Sequence, residues 1–312
     1  MAAVVVRRSG ITPGAVLRAF PPQAHALAVL AFVVDLLARG ARVACVARGL
    51  GLRVSLATSV RAQLAGDALG AVTPSRVGAD PAKLTVLRSG GVGIGAAGAL
   101  LLAEMASEAF MLLVLAVVVV AVVPGMWWVA VGVGGYALVV SAAGLCAMWL
   151  SRATGLASAP PRLWGWLRLS ERRWSDLCRP ARSFTEHARE LVRLPAGAVA
   201  GALAAAVVHL SARLTILPAL LIPAGAVGLG FADLVLRPFF LLYATALLPP
   251  PGGGGGVELA FAATLSPALS GARLAAALIW WRIYTFYLSA LVGWLYLGVA
   301  SLAPHKILDT GS

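Results

Sequence analysis

The sequence predicts an all-α fold, a polytopic bundle of transmembrane helices with two re-entrant or broken helical segments. Hydrophobic residues make up 60% of the 312 residues and charged residues only 12%, far below the roughly 25% of soluble domains. Several runs also reach the ~20 apolar residues that a helix needs to cross a bilayer. These observations exclude an ordinary soluble domain and predict an integral membrane protein.

The apolar runs place the helices along the chain. Residues 126–150 carry no charge. Three further runs hold only isolated polar side chains: residues 99–123, 195–222 and 274–303. Residues 24–46 form a weaker span because they contain Asp35, Arg39 and Arg42.

The same pattern sets the expected domain boundaries. We expect one transmembrane domain over residues 24–303. Residues 1–23 are too short to span and are interpreted as an N-terminal segment, the remnant of a truncated first helix. Residues 304–312 are expected to form a C-terminal tail.

The longest polar segment is a predicted cytoplasmic loop. Residues 151–194 contain nine Arg against four acidic residues, and Arg and Lys favour the cytoplasmic side of a membrane protein. Threading the spans outward from this loop places residues 48–98 in the cytoplasm and makes residues 223–273 re-entrant from outside. The net charge of +13 follows the same rule, so we expect no nucleic-acid partner.

Neither a metal nor a cofactor is expected. The three cysteines share no metal or redox spacing, and the four histidines are scattered. A glycine pattern at residues 93–98 matches the dinucleotide fingerprint but precedes a membrane span and lacks a βαβ unit. No catalytic constellation is recognisable, so we do not expect an enzyme.

Two segments combine proline, glycine and one carboxylate inside this apolar chain. The first proline-glycine segment covers residues 69–80 and ends at Asp80; the second covers residues 247–258 and ends at Glu258. Proline removes a backbone donor and glycine weakens a helix, so the freed polar backbone needs a protein or water partner at membrane depth. The residues expected to break the helices are Pro74, Gly78, Pro250, Pro251, Gly252 and Gly253.

The threading lets these segments approach the midplane from opposite faces, which is typical of inverted repeats in transporters. The spacing from Asp80 to Glu104 is 24 residues, and the spacing from Glu258 to Arg282 is also 24. An inverted repeat is therefore one interpretation of the chain.

Charged groups at membrane depth are costly unless they are paired or wet, so they mark candidate functional positions. Glu104 and Glu108 lie one helical turn apart, and Glu104 is a candidate partner of Arg282 across a polar cavity. The alternatives are a solvated helix end for Glu104 and snorkelling to an aromatic belt for Arg282. Arg76 and Lys83 suit a phosphate headgroup, with ordinary positive-inside charge as the alternative.

Two weaker patterns are interpreted as structural. The spacings Gly66/Gly70 and Gly197/Gly201 predict helix-packing contacts. His209 and Arg213 lie on one helix face and are interpreted as a local pair or helix-end groups, with a proton relay as the alternative.

The motif series Thr73-Pro-Ser-Arg-Val-Gly-Ala-Asp-Pro-Ala-Lys83, Glu104, Pro250-Pro-Gly-Gly with Glu258, and Trp-Arg282-Ile-Tyr284 resembles the lysylphosphatidylglycerol synthase transmembrane-region family. The resemblance runs from about residue 24 to residue 303. It implies a bundle related to the flippase half of the bifunctional multiple peptide resistance factor, which moves aminoacylated phosphatidylglycerol between leaflets. Ala79 replaces a usual glycine, and the family's first helix is expected to be lacking. No aminoacyl-transferase domain follows Ser312, so the resemblance does not carry over the synthase activity.

We therefore expect a multi-pass protein of the cytoplasmic membrane that moves a phosphate-bearing lipid, aminoacylated or polyprenyl, between leaflets. The residues expected to bind the lipid are Arg76, Asp80, Lys83, Glu104, Glu258 and Arg282. Membrane lipid is the expected partner, with a lipid synthase or glycosyltransferase as a further candidate. The alternatives are a membrane-embedded enzyme, such as a polyprenyl-phosphate glycosyltransferase, and a scaffold in a glycolipid or polyprenyl-lipid pathway.

Overall fold

The computed structural model is all-α in the part of the chain that it describes, which is residues 12–122, 127–155, 171–225, 230, 234–235, 254–269 and 271–302. The helices are α1 (Pro13–Leu17), α2 (Pro22–Gly49), α3 (Leu56–Val72), α4 (Ala79–Ser89), α5 (Ile94–Val122), α6 (Trp127–Gly155), α7 (Glu171–Leu191), α8 (Ala196–Leu221), α9 (Gly256–Leu265), α10 (Gly271–Arg282) and α11 (Leu288–Leu302). A 3₁₀ turn (Pro74–Arg76) precedes α4, and a π-helical turn (Ile283–Tyr287) joins α10 to α11.

Helices are confirmed over the described parts of the predicted spans at residues 99–123, 195–222 and 274–303. Within the described residues, three stretches are long and apolar enough to cross a membrane: Ile94–Val118, Ala196–Leu221 and Gly271–Ala300. Helix α6 covers the predicted run at 126–150, and α2 extends the weaker run at 24–46 to 28 residues. Large apolar side chains on these helices are exposed, including Val117 and Leu295, as expected of a surface that faces lipid.

Helix α3 lies within residues 48–98, which the sequence predicted as a cytoplasmic stretch without assigning helices to it. From Ala62 to Ala68 every residue is buried. A Cβ at Gly293 of α11 would lie 2.1 Å from the main-chain oxygen of Leu64, so the two helices pack with their backbones in close approach. The polar side chains of α3 that are buried inside the protein are Ser59, Gln63 and Asp67.

The predicted Arg-rich loop at residues 151–194 also contains regular structure. Helix α6 continues to Gly155, and α7 occupies Glu171–Leu191. Cys178, Thr185 and Ala188 of α7 are buried at helical spacing, whereas its arginines Arg179, Arg182 and Arg189 are exposed. The charge of this segment favoured the prediction of a loop, although part of it forms an amphipathic helix.

The second proline-glycine segment is followed by a short helix, in agreement with a broken segment in that region. Helix α9 has ten residues, about 15 Å, and cannot cross a hydrocarbon core of about 30 Å.

The chain divides into two compact units, each made of separate stretches. The first unit comprises Met1–Val34, Arg61–Lys83 and Ser211–Ser312; the second comprises Asp35–Val60 and Leu84–Leu210. Both proline-glycine segments belong to the first unit.

Glycine patterns in the second unit serve helix packing. A Cβ at Gly95 would lie 2.5 Å from the backbone nitrogen of Phe184, so the fingerprint-like pattern of residues 93–98 brings α5 close to α7. A Cβ at Gly201 would lie 3.2 Å from the sulfur of Cys45, which confirms a packing role for this glycine. Nothing lies within 4 Å of the equivalent position at Gly197.

Candidate functional site

The first proline-glycine segment is a turn between α3 and α4 with an unusual backbone. Ser75 (φ 47°) and Arg76 (φ 59°) adopt the left-handed region that non-glycine residues avoid. The hydroxyl of Thr73 donates to the Leu69 carbonyl (2.8 Å) and accepts from the Gly78 N–H (3.0 Å). The threonine thus satisfies backbone groups that the break releases, as a segment inside an apolar unit requires.

This turn directs Arg76 back onto α3. Its guanidinium Nη2 donates to Asp67 Oδ1 at 2.9 Å, and the side chain of Asp67 is only 9% exposed. A Cβ at Gly70 would lie 3.5 Å from that Nη2, so the absence of a side chain there leaves room for the guanidinium. The sequence interpretation did not single out Asp67 as a site residue, although it lies three residues before Gly70.

Lys83 packs on the same face of α3 as Arg76. Its ammonium is 3.8 Å from Asp80 Oδ1, and a Cβ at Gly66 would lie 2.9 Å from Lys83 Cε. Gly66 and Gly70 therefore pack α3 against α4 as predicted, and they also make room for two cationic side chains. Asp80 is half exposed, at 51% of its side chain, whereas Lys83 is at 16%.

The second proline-glycine segment ends in a buried carboxylate. Pro250, Pro251, Gly252 and Gly253 lie outside the described residues. Gly255 adopts φ 89°, and its N–H donates to Glu258 Oε2 at 2.7 Å. Glu258 lies in the first turn of α9, where the positive end of the helix dipole favours a carboxylate.

Arg282 completes this second cluster. Its Nη2 lies 3.0 Å from Glu258 Oε1, and both side chains are about 5% exposed. The guanidinium carbon also lies 4.9 Å from the ring centre of Phe286 and 5.8 Å from that of Tyr287, in cation–π geometry. Arg282 is thus enclosed by protein, which contradicts the snorkelling alternative.

A π-helical turn follows directly after Arg282 and contains Phe286 and Tyr287, the two rings that contact its guanidinium. A π turn adds a residue to a helical turn and is frequent at functional sites. Trp281 packs on Phe261 of α9, with ring centres 5.1 Å apart. This contact holds α9 against α10 and so keeps Glu258 opposite Arg282.

The two proline-glycine segments are alike in local design. Each ends at a helix whose first turn carries one carboxylate, Asp80 in α4 and Glu258 in α9. Each also contributes to a contact between a cation and a buried carboxylate, Arg76 with Asp67 and Arg282 with Glu258. The segments differ in the exposure of this first-turn carboxylate, because Asp80 is half exposed whereas Glu258 is buried.

Glu104 has a partner that the sequence interpretation did not name. In the second unit, Arg42 Nη2 donates to Glu104 Oε1 (3.0 Å) and to Glu108 Oε2 (3.1 Å). Glu104 and Arg282 each have an ion-pair partner inside their own unit, Arg42 for Glu104 and Glu258 for Arg282, and a pairing of Glu104 with Arg282 stays a prediction. The prediction that Glu104 and Glu108 share a helix face is confirmed, since both reach the same nitrogen.

His209 and Arg213 also have partners other than those expected. The Nδ1 of His209 contacts Asp35 Oδ1 on α2, and Arg213 Nη2 donates to the carbonyl of Thr285 at 3.1 Å. The local pair is thus corrected to two tertiary contacts. The i, i+4, i+7 spacing of Asp35, Arg39 and Arg42 on α2 was a sequence signal for one polar face.

The helices and the buried ion pairs define a class: an integral membrane protein whose apolar helices enclose internal charged clusters. The family model described as the lysylphosphatidylglycerol synthase TM region matches residues 2–293. The chain belongs to this family. A comparison with the curated proteins found no match.

Proposed function

We propose that this protein is a multi-pass lipid flippase or lipid transporter of the cytoplasmic membrane, which moves a phosphate-bearing lipid between leaflets without chemical change. The observation that carries the proposal is the buried pair of Arg282 and Glu258, at a break between helices inside an apolar unit. A cation at such a position is costly, so a counter-ion must accompany it. A lipid phosphate is a second anion that can take that place.

The proposed exchange follows from the chemistry of the guanidinium. Arginine presents a planar fork of donors that binds carboxylate and phosphate in similar geometry. In the empty protein, Glu258 neutralises Arg282. When a lipid headgroup enters, its phosphate competes for the same donors, and the Gly255 N–H continues to hold the released carboxylate.

The first proline-glycine segment offers a comparable pair. Arg76 bonds Asp67, and its side chain is 25% exposed, so it is more accessible to a headgroup than Arg282. Lys83 adds a second positive charge at the same face of α3. In this proposal, Asp80 and Glu104 balance nearby cations or receive a cationic headgroup.

Purified protein in liposomes tests the proposal. Fluorescent lipids are added in both leaflets, and a membrane-impermeant quencher reports how fast inner-leaflet lipid reaches the outside. The panel contains phosphatidylglycerol, aminoacylated phosphatidylglycerol, a polyprenyl phosphate and, as a control, a neutral diacylglycerol. We expect faster exposure of at least one phosphate-bearing lipid than in protein-free liposomes, and no effect on diacylglycerol.

Three variants sharpen the test. Arg282→Gln should slow lipid movement at least tenfold, whereas Arg282→Lys, which keeps the charge but loses the fork, should slow it less. Arg273→Gln is the matched control, because Arg273 lies on the same helix but is exposed and bonds a backbone carbonyl. Unchanged leaflet distribution of every lipid in the panel would contradict transport and favour a scaffold or enzyme.

A further inference from the structure

A buried cluster of ionisable groups in the second unit has no part in the proposed headgroup exchange. His209 Nδ1 lies 2.5 Å from Asp35 Oδ1, and Asp35 Oδ2 lies 3.5 Å from Arg39 Nε. The side chains of all three residues are at most 8% exposed. Buried charges of this kind are rare in membrane helices and frequently belong to ion or proton pathways.

Both members of the central pair lie at the middle of long helices. Asp35 is the fourteenth of the 28 residues of α2, and His209 is the fourteenth of the 26 residues of α8. Each is about 20 Å from the start of its helix at 1.5 Å per residue. Since the hydrocarbon core is about 30 Å thick, the pair lies deep within the span of α8 rather than at a helix end.

Close helix packing brings the two residues together. A Cβ at Gly201 of α8 would lie 3.2 Å from Cys45 Sγ of α2, and one at Gly49 would lie 2.7 Å from Ala198 Cβ. The contacting pairs are Ala198 with Gly49, Gly201 with Cys45 and His209 with Asp35. Residue numbers rise along α8 while they fall along α2. The helices are therefore antiparallel neighbours, and the pair lies on their seam.

The charges of the cluster make it responsive to one proton. Contacts within the cluster join one carboxylate, that of Asp35, to the guanidinium of Arg39 and the imidazole of His209. Protonation of the imidazole adds one positive charge at the middle of two helices. Histidine is the side chain whose charge ordinarily changes near neutral pH.

We infer that His209 and Asp35 form a proton-binding site that couples lipid movement to the proton gradient across the membrane. The inference rests on the proposed lipid transport for its coupling role, and on the geometry alone for proton binding. The ligand is a proton, and the site supplies the energy source that the headgroup exchange does not.

The proton step can be written for the atoms in contact. Asp35 as a carboxylate only accepts, so the neutral imidazole carries its hydrogen on Nδ1 and donates it to Oδ1. A hydronium ion from one side gives its proton to the Nε2 lone pair, forming an N–H bond and leaving water. Release to water on the other side breaks that bond and restores the neutral imidazole.

The helices α2 and α8 carry other ionisable groups near this site, and each must be considered as a source of pH dependence. On α2, Arg42 is engaged by Glu104 and Glu108 of α5, and on α8 Arg213 donates to a backbone carbonyl. Of these described groups, only histidine ordinarily changes charge between pH 5 and 8. The remaining described ionisable residues of α2 and α8 are His25, Cys45 and Arg48, all on α2.

A transport assay with an imposed gradient tests the coupling. Liposomes with one pH unit across the membrane are compared with liposomes at equal pH, and the steady-state ratio of labelled lipid between leaflets is measured. One proton per lipid allows up to about tenfold accumulation, because one pH unit corresponds to a factor of ten. We expect a ratio several-fold above one for the wild type and a ratio of one for His209→Gln and Asp35→Asn.

His187→Gln is the matched control, since His187 lies on α7 and bonds a carbonyl of its own helix. It should retain the wild-type ratio. A wild type that moves lipid equally with and without the gradient would overturn the coupling and leave the proposed transport intact.

A direct measurement keeps the proton site testable if no lipid moves, an outcome that would contradict the proposed function instead. The imidazole carbon signal of His209 is recorded by NMR in nanodiscs and assigned by its absence in His209→Gln. Spectra are taken from pH 5 to pH 9, and we expect the wild-type signal to change within this series because the imidazole binds a proton. A wild-type signal that stays constant over that range would overturn the proton site.

Discussion

Glu258→Gln tests the buried ion pair that underlies the proposed function. The substitution keeps the size of the side chain and retains an oxygen that can accept from the Gly255 N–H. It removes the negative charge that lies 3.0 Å from Arg282 Nη2, in a pair whose side chains are 5% and 6% exposed. Breaking one partner of a buried pair costs about 3–5 kcal/mol, because the other charge stays buried without compensation. We expect a loss near the lower limit, about 3 kcal/mol.

The free energy of unfolding is measured in mixed micelles by titration with SDS. The proteins compared are Glu258→Gln, Arg282→Gln and the double variant. The double variant should lose less than the sum of the two single losses, because neither charge is then left alone. Arg179→Gln is the control, since its 2.9 Å pair with Asp176 is 80% and 55% exposed and should be worth about 0–1 kcal/mol. The reasoning is refuted if Glu258→Gln costs no more than this control, or if the two single losses simply add.

Three further substitutions test other parts of the structure by the same unfolding measurement. Gly293→Leu should destabilise by at least about 1–3 kcal/mol, because its side chain would displace the Leu64 backbone; a neutral result would mean that α11 does not pack on α3 as described. Ser75→Gly should stabilise or be neutral, since glycine adopts a positive φ without the cost of about 1 kcal/mol; a clear loss of stability would contradict a left-handed conformation there. Arg42→Gln should cost about 3–5 kcal/mol, and adding Glu104→Gln should recover part of that loss; full additivity would argue against their pairing.

The composition and periodicity of the sequence determined the class of fold and the positions of most helices. Long apolar runs must satisfy their backbone groups within helices when they cross a membrane, so local hydropathy sufficed for α5, α6, α8 and the last span. It failed for α3 and α7. Their polar side chains lower the hydropathy of the segment, yet α3 lies inside the protein and α7 shields one face, which only tertiary contacts reveal.

The candidate charges were also readable from the sequence, because an ionisable group in an apolar run is costly wherever it lies. Their partners were not. Arg282 pairs with Glu258 across 24 residues, Arg42 with Glu104 across 62, and His209 with Asp35 across 174. Such pairings depend on which helix faces meet, and several cations and carboxylates satisfy the same local pattern. The sequence therefore determined that this protein holds buried charges at helix breaks, while the tertiary structure decided which charges neutralise each other.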